Sequence, residues 1–219
     1  MDWRSPAAGE GTTVANGVPY GYDVACVEVV EALARALELH DYRRGLFAET
    51  EAHGVRVTRL ALQLAERVAP ELAADPRLEY GFRLHDIGMI GVSPSILSKR
   101  GSLTPDELDE MREHPFLGER IVASVHCLSG IARQVIGAHH ERWNGSGYPR
   151  RLERERIPLP ARIFALADVY DAMTTEQPYR DALAPAYALA EIERGAGSLF
   201  DPDLVPPFLQ LLEASAVLS

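Results

Sequence analysis

The chain has 219 residues, of which 47% are hydrophobic and 25% are charged, and its formal net charge is −10. This length and apolar content support a well-buried core in one or two domains. A globally acidic chain is a poor candidate for binding long nucleic acid, which usually needs a basic face. A small anionic ligand is still compatible with this charge, because bound metal ions can reverse the local field.

Neither membrane insertion nor secretion is favoured by the apolar pattern. No apolar run approaches the roughly 20 residues that span a bilayer. Residues 1–17 contain no apolar stretch typical of a secretory signal. The two cysteines, Cys26 and Cys127, lie far apart, and we expect free buried thiols. We therefore predict a cytoplasmic protein without membrane contact, with residues 1–20 as a flexible N-terminal segment.

From about residue 21 onward, apolar residues recur with helical spacing, and strand-like alternation is absent. Thr104 begins a helix with a hydroxyl N-cap, a following proline and acids in the first turn. Residues 91–103 and 141–160 are rich in turn formers and are predicted to be irregular. The predicted helices cover 24–39, 56–70, 75–88, 104–114, 115–125, 130–140, 157–176, 186–197 and 201–215. The pattern predicts an all-α fold with one helical domain over residues 21–219.

Several histidines lie beside acidic residues. Glu49 and His53 are four residues apart and share one helix face. His85 is followed directly by Asp86, and residues 139–140 are two consecutive histidines. Imidazole and carboxylate groups from several helices of a bundle are the usual ligands of a two-metal site.

Two aspartates interrupt an apolar helix near the C-terminal end of the chain. Asp168 and Asp171 lie three residues apart within IFALADVYDAM. Burying a carboxylate there is costly unless it is paired or binds a metal. A single histidine is more often an ordinary core or surface residue than a ligand, and we assign no role to His40 and His126.

The order of these motifs resembles the HD-GYP family, a branch of the HD-domain metal-dependent phosphohydrolases. HDIG (85–88) and HHERWNGSGYP (139–149) carry the resemblance most specifically. The similarity extends through ETEAHGVRV (49–57), IGVSPSILSKRGSLT (90–104), EHPFLGERI (113–121), ARIFALADVYDAMTTEQPYR (161–180) and GSLFDPDLVPPFLQLL (197–212). It covers roughly residues 25–215 and implies a helical bundle with a metal centre between its helices.

The resemblance implies a set of metal ligands, all of them present in this sequence. They are Glu49, His53, His85, Asp86, His114, His139, His140 and Asp168. Asp86 would bridge two metals, and Glu49 is typical of the trinuclear subgroup. We therefore expect two or three divalent transition-metal ions, with three favoured. Nitrogen and oxygen ligands without thiolate fit iron or manganese better than a structural zinc site.

The resemblance also implies hydrolysis of cyclic di-GMP to the linear dinucleotide and further to GMP, by a hydroxide that bridges the metals. His85 and Asp86 would be the catalytic residues, and Asp171 would orient a ligand histidine. The implied substrate contacts are Lys99, Gly147, Tyr148, Pro149 and Arg180. The GYP loop would also contact protein partners such as diguanylate cyclase (GGDEF) domains, and a homodimer is compatible with the family.

Three positions depart from the family pattern. Met89 replaces the lysine of HDIGK, Asn144 replaces an aspartate in the GYP motif, and Gln177 replaces the first arginine of RPYR. Each lost charged contact with phosphate costs about ten- to a hundredfold in affinity. Two alternatives therefore stay open. One is a receptor or interaction module that keeps the metals but does not hydrolyse the nucleotide, and the other is an HD phosphohydrolase for another phosphoester.

Overall fold

The computed structural model describes residues 24–42, 49–99, 101–176 and 181–217. These residues form eleven α-helices and three short 3-10 segments, with no β-strand among them, which confirms the predicted all-α fold. The α-helices are α1 (Val24–Tyr42), α2 (Glu49–Val68), α3 (Pro70–Ala73), α4 (Pro76–Arg83), α5 (Pro94–Leu97), α6 (Pro105–Arg112), α7 (His114–Ile121), α8 (Ile131–Ala138), α9 (Leu159–Thr174), α10 (Pro185–Arg194) and α11 (Val205–Val217). The 3-10 segments are Ile87–Gly91, His126–Leu128 and Arg154–Arg156. The N-terminal segment 1–20, predicted to be flexible, lies outside the described residues.

The helix predicted for 75–88 is wrong at its C-terminal end, because α4 stops at Arg83. Beyond it the chain turns into the 3-10 segment that starts at Ile87. Gly88 in this segment packs directly on α7, where an added Cβ would lie only 1.8 Å from the carbonyl oxygen of His114. The HD pair, residues 85–86, therefore lies in the turn between two elements and not on a helix.

Other boundaries shift by smaller amounts. Helix α2 begins at residue 49, seven residues before the predicted start at 56. The segment 91–103, predicted to be irregular, contains the single helical turn α5. Thr104 caps α6 as predicted: its hydroxyl accepts from the backbone of Glu107, whose carboxylate accepts in return from the backbone of Thr104.

Two large apolar clusters form most of the core, and a third, small cluster contains Ala138, Ile157 and Ala161. One large cluster joins α2, α4, α8, α9, α10 and α11 around Phe82, Phe164 and Phe208. The other large cluster joins α1 to the 3-10 segment at Ile87 and to α8, and it contains Cys127 with Cys26 packed at its edge. Both cysteines are free, as predicted, although only Cys127 is fully buried. Among the described helices, none combines the length and the apolar character that crossing a membrane requires.

Candidate metal centre

Seven histidine and aspartate side chains converge where α2, α7, α8 and α9 meet the turn after α4. They form two groups, and in each group one ligand atom per residue lies within 4.8 Å of the others. The first group contains Asp86, His114, His139 and His140. The second contains His53, His85 and Asp168. Seven of the eight predicted ligands are thus brought together.

Three of the histidines have their Nδ1 atoms fixed by backbone carbonyl oxygens. These contacts join His85 to Phe82 (2.9 Å), His114 to Met111 (2.9 Å) and His139 to Ile136 (3.1 Å). A carbonyl oxygen can only accept a hydrogen bond, so each Nδ1 carries the proton. Each Nε2 then presents a lone pair towards the centre, in the tautomer that a metal ligand needs.

The atoms that face one another in the first group are all acceptors. Nε2 of His114 lies 3.2 Å from Nε2 of His139. Oδ1 of Asp86 lies 3.2 Å from Nε2 of His114 and 3.5 Å from Nε2 of His139. Lone pairs and a carboxylate at these distances repel one another unless a cation lies among them. This donor set therefore fits a divalent metal ion.

Asp86 connects the two groups. Its Oδ1 faces the first group, and its Oδ2 lies 3.5 Å from Nε2 of His85 in the second. Desolvation raises the pKa of Asp86, but the facing His85, His114 and His139 outweigh it and hold the pKa well below its ordinary value. The side chain is 34% exposed, so the centre is open to solvent at its middle. A carboxylate in this position can serve two ions at once.

His53 differs from the other histidines because carboxylates hold both of its nitrogens. Nε2 lies 3.4 Å from Oδ1 of Asp168, and Nδ1 lies 2.7 Å from Oδ2 of Asp171. Burial lowers the pKa of His53, but hydrogen bonds to the two aspartates outweigh it and raise the pKa to about 10. Without a cation, a proton thus fills the space between His53 and Asp168.

Asp171 is itself held by an arginine. Nε and Nη2 of Arg56 donate to the two carboxylate oxygens at 2.6 and 2.9 Å, and Nη2 also donates to the hydroxyl of Thr175 at 3.1 Å. Asp171 is buried, and no contact places it in either ligand group. Its geometry is that of a carboxylate that orients His53. Arg56 lies three residues after His53 on the same helix face, and its role was not predicted from the sequence.

Packing against neighbouring rings keeps His139 and His140 neutral. The ring of Phe164 lies 4.6 Å from that of His85, and His139 is fully packed between neighbouring rings. Burial lowers the pKa of His139 and takes that of His140 well below its ordinary value. Both imidazoles are therefore neutral at physiological pH, which is the form that binds metal.

The GYP loop forms another wall of the centre. The ring of Tyr148 lies 4.7 Å from that of His140 and 6.2 Å from that of His114. Gly147 is buried against the backbone of residues 140–142, where an added Cβ would lie 2.4 Å from the nitrogen of Arg142. The peptide between Tyr148 and Pro149 is cis. Gly147 thus lets the loop fold back on the ligand pair, and Tyr148 is the loop side chain that contacts the ligands.

Two buried glutamates, which the sequence analysis missed, anchor this loop. Glu141 accepts from the backbone nitrogens of Arg150 at 2.7 Å and Leu152 at 3.0 Å. The guanidinium of Arg150 pairs with Glu119 and donates to the carbonyl oxygen of Gly137 at 2.9 Å. Glu141 directly follows two ligand histidines, but its carboxylate serves the loop and not the centre. The glycine at 137 leaves room for the side chain of Glu119, because an added Cβ there would collide with it.

Asn144 has a structural role. Its Oδ1 accepts from the backbone of Ser146 at 3.0 Å, and its own backbone nitrogen donates to the carbonyl oxygen of Ser198 at 2.9 Å. An aspartate would accept the same hydrogen bond, so this departure from the family pattern leaves the turn intact.

The remaining predicted residues are placed as follows. Lys99 pairs with Glu107 at the start of α6. Met89 is partly buried against the cluster that contains Leu84 and Ile87. The backbone of Glu49 begins α2, but its side chain lies outside the described residues, as do Gln177 and Arg180.

A helical bundle with a histidine and aspartate centre built around an HD pair defines a class of metal-binding proteins. The family model described as "HD domain" matches residues 31–204. This chain belongs to the HD domain family, and its resemblance to the HD-GYP branch is confirmed.

The chain is similar to proteins named for two cyclic dinucleotides. It is 36% identical over 191 residues to a cyclic di-GMP phosphodiesterase of Thermotoga maritima, covering 87% of this chain and 50% of that protein. It is 34% identical over 184 residues to the 3'3'-cGAMP-specific phosphodiesterase 2 of Vibrio cholerae, covering 84% and 34%. A solved cyclic GMP-AMP-specific phosphodiesterase of Vibrio cholerae superposes with a TM-score of 0.57 at 25% identity, covering 74% and 44%. The chain thus spans half or less of the length of these relatives.

Proposed function

We propose that the chain is a metal-dependent phosphodiesterase that hydrolyses cyclic di-GMP to the linear dinucleotide. The observation that carries this proposal is the position of Asp86, whose two oxygens face two separate groups of metal-ligating atoms. Two ions in one site are a recurrent arrangement for cleaving phosphate esters. The names of the relatives support a cyclic dinucleotide as the substrate.

The ligands proposed for these ions are His53, His85, Asp86, His114, His139, His140 and Asp168. When bound, divalent ions would supply a water of lowered pKa and positive charge beside the phosphate oxygens. Iron or manganese suits the nitrogen and oxygen donors. The proposal of a third ion depends on Glu49 as a further ligand, and this residue begins the helix that carries His53.

The chain's own residues would fix the reacting groups. Asp86 and His85 would bind the ions where the site opens to solvent. Asp171 would orient His53 by accepting a hydrogen bond from the Nδ1 atom of His53. Tyr148, seated on His140, would limit how the substrate enters. Lys99 and Arg180 are proposed phosphate contacts, and Lys99 would first have to release Glu107.

Turnover by the intact chain tests this proposal. The protein is purified anaerobically, its iron and manganese are quantified, and cyclic di-GMP is followed by chromatography. We expect conversion to the linear dinucleotide, and loss of conversion in Asp86→Ala. Asp106→Asn, which changes an exposed acid on α6, is the matched control and should keep full activity. Metal-loaded protein that leaves every cyclic dinucleotide and a generic phosphodiester uncut would refute the enzyme.

A second candidate is a receptor that binds the nucleotide without cutting it. Met89 favours it, since the lysine of the family pattern is replaced by an apolar side chain packed on the core. Lys99 is paired with Glu107, which would compete with phosphate for its charge. Cyclic di-GMP recovered uncut from metal-loaded protein would favour the receptor. Cleavage of 3'3'-cGAMP but not of cyclic di-GMP would support a phosphodiesterase whose substrate is 3'3'-cGAMP.

A further inference from the structure

A groove of about 470 Å³ lies beside the metal centre, between the C-terminal turn of α6 and the GYP loop. Its walls include Asp109, Arg112 and Glu113 on one side and Tyr148 and Arg151 on the other. This volume lies within the roughly 300–1,000 Å³ of small-molecule sites. None of the ligand histidines and aspartates lines it, so it is a compartment next to the centre and not the centre itself.

Tyr148 is the wall that the groove shares with the centre. Its ring packs on His140 at 4.7 Å and also lines the groove. Glu113, on the opposite wall, directly precedes the ligand His114. A nucleotide whose phosphate lies at the ligand cluster therefore has this groove within reach of its attached base.

Arg112 is placed to donate hydrogen bonds into the groove. Its guanidinium carbon lies 5.9 Å from the centre of the Tyr148 ring. Its ion pair with Asp109, at 3.3 Å, joins side chains that are 47% and 76% exposed. Such exposed pairs contribute little and exchange readily with other partners. The guanidinium and the neighbouring carboxylates are thus available to a ligand.

These groups match one nucleobase in particular. Arginine makes its most specific base contact with O6 and N7 of guanine, both acceptors. The carboxylates of Asp109 and Glu113 only accept, which suits the N1–H and N2–H₂ donors of guanine. Adenine presents an amino donor where guanine has O6, and it lacks the N1–H. A mixed arginine and carboxylate wall therefore favours guanine over adenine.

We propose that this groove is a guanine subsite, in which Arg112 binds O6 and N7 while Asp109 or Glu113 accepts from N1–H and N2–H₂ on the adjoining edge of the base. The inference rests on the proposed function and names the base that the site selects. A cyclic dinucleotide places one of its two bases in the groove at a time. One guanine is therefore sufficient for binding, and a substrate without guanine is disfavoured.

The test compares Arg112→Ala with the unchanged chain on cyclic di-GMP and cyclic di-AMP. The variant is expected to lose about ten- to a hundredfold in kcat/KM for cyclic di-GMP, as expected for a lost bidentate arginine contact, with little change for cyclic di-AMP. Arg112→Lys should lose less than alanine, because an ammonium can still donate to O6 or N7 but lacks the fixed planar fork of the guanidinium. Arg120→Ala, an exposed arginine on the next helix, is the matched control. Metal content and hydrolysis of bis(p-nitrophenyl) phosphate should be unchanged in all three variants.

A second readout uses 3'3'-cGAMP, whose two phosphodiester bonds are chemically distinct. If guanine occupies the groove, one bond is cut first, and one of the two linear products dominates. Arg112→Ala should remove this bias. An Arg112→Ala variant that slows both substrates equally, or that keeps both the selectivity and the product bias, would overturn the guanine subsite while leaving the phosphodiesterase intact. A chain that cuts only bis(p-nitrophenyl) phosphate, and neither binds nor cuts any cyclic dinucleotide, would refute the proposed function and the subsite together.

Discussion

Asp171→Asn is expected to weaken metal binding at the second ligand group, which contains His53, and to leave the first group unchanged. The Asp171 carboxylate receives Nδ1 of His53 at 2.7 Å and two hydrogen bonds from Arg56 at 2.6 and 2.9 Å. An asparagine amide keeps one acceptor oxygen but must turn its NH₂ group towards either His53 or Arg56, both of which are donors. Either orientation of the amide weakens the chain of hydrogen bonds from Arg56 through residue 171 to His53, although the Nε2 atom of His53 remains.

The size of the effect follows from what such outer partners contribute. Removing a group that orients a ligand histidine lowers metal affinity by about 10–100-fold, or about 1.4–2.8 kcal/mol. Isothermal titration of the apo protein with Mn²⁺ would resolve the two groups as a weakened class and an unchanged class of sites. Metal content by mass spectrometry should fall accordingly after dialysis.

Asp201→Asn is the matched control for this experiment. Asp201 is also a buried aspartate held by an arginine, with Nη1 of Arg162 at 2.5 Å, but it lies outside both ligand groups. Both variants should lose stability, and only Asp171→Asn should lose metal affinity. Equal loss of affinity in the two variants would refute the positioning role, as would an Asp171→Asn variant with unchanged affinity.

Three further predictions concern protons, the loop and the missing lysine. Metal binding at neutral pH should release about one proton, because His53, whose pKa is raised to about 10, must lose its proton to bind. The affinity should rise with pH until that pKa is passed, and a titration enthalpy that is the same in buffers of different ionisation enthalpy would contradict this. Glu141→Gln should lower the free energy of unfolding, measured in urea, by about 1–3 kcal/mol, because one of the hydrogen bonds from Arg150 and Leu152 is lost. The metal content should stay the same. Unchanged stability would show that the loop is held by other contacts. Met89→Lys should raise kcat/KM for cyclic di-GMP by about tenfold, and no change would mean that this position does not contact the phosphate.

Local patterns in the sequence were sufficient to find the ligands. Histidines and aspartates at helical spacing, together with the order of the HD and GYP motifs, predicted the seven side chains that the structure brings together. The placement of the HD pair was not predictable in the same way. Helical periodicity continues through residue 84, and nothing in the local pattern marks the end of α4 at Arg83.

Contacts that join distant segments were missed for a physical reason. Arg56, Glu119 and Glu141 are ordinary charged residues in their own helices and turns, and nothing nearby in the sequence marks their partners. Arg56 donates a hydrogen bond to Asp171, which lies more than a hundred residues later in the chain, and Arg150 donates one to Glu119, which lies on helix α7. Asn144 holds a local turn, and this structural role was not predicted from the sequence.

Anomalous diffraction from crystals of the metal-loaded protein, measured at the iron and manganese edges, tests the metal centre most directly. At least two peaks roughly 3.5–4 Å apart are predicted, with the carboxylate of Asp86 between them, and a third peak is predicted if Glu49 also binds an ion. One should lie among His114, His139 and His140, and the other among His53, His85 and Asp168. A single peak, or peaks that Asp86 does not contact, would contradict the two-group centre on which the proposed hydrolysis depends.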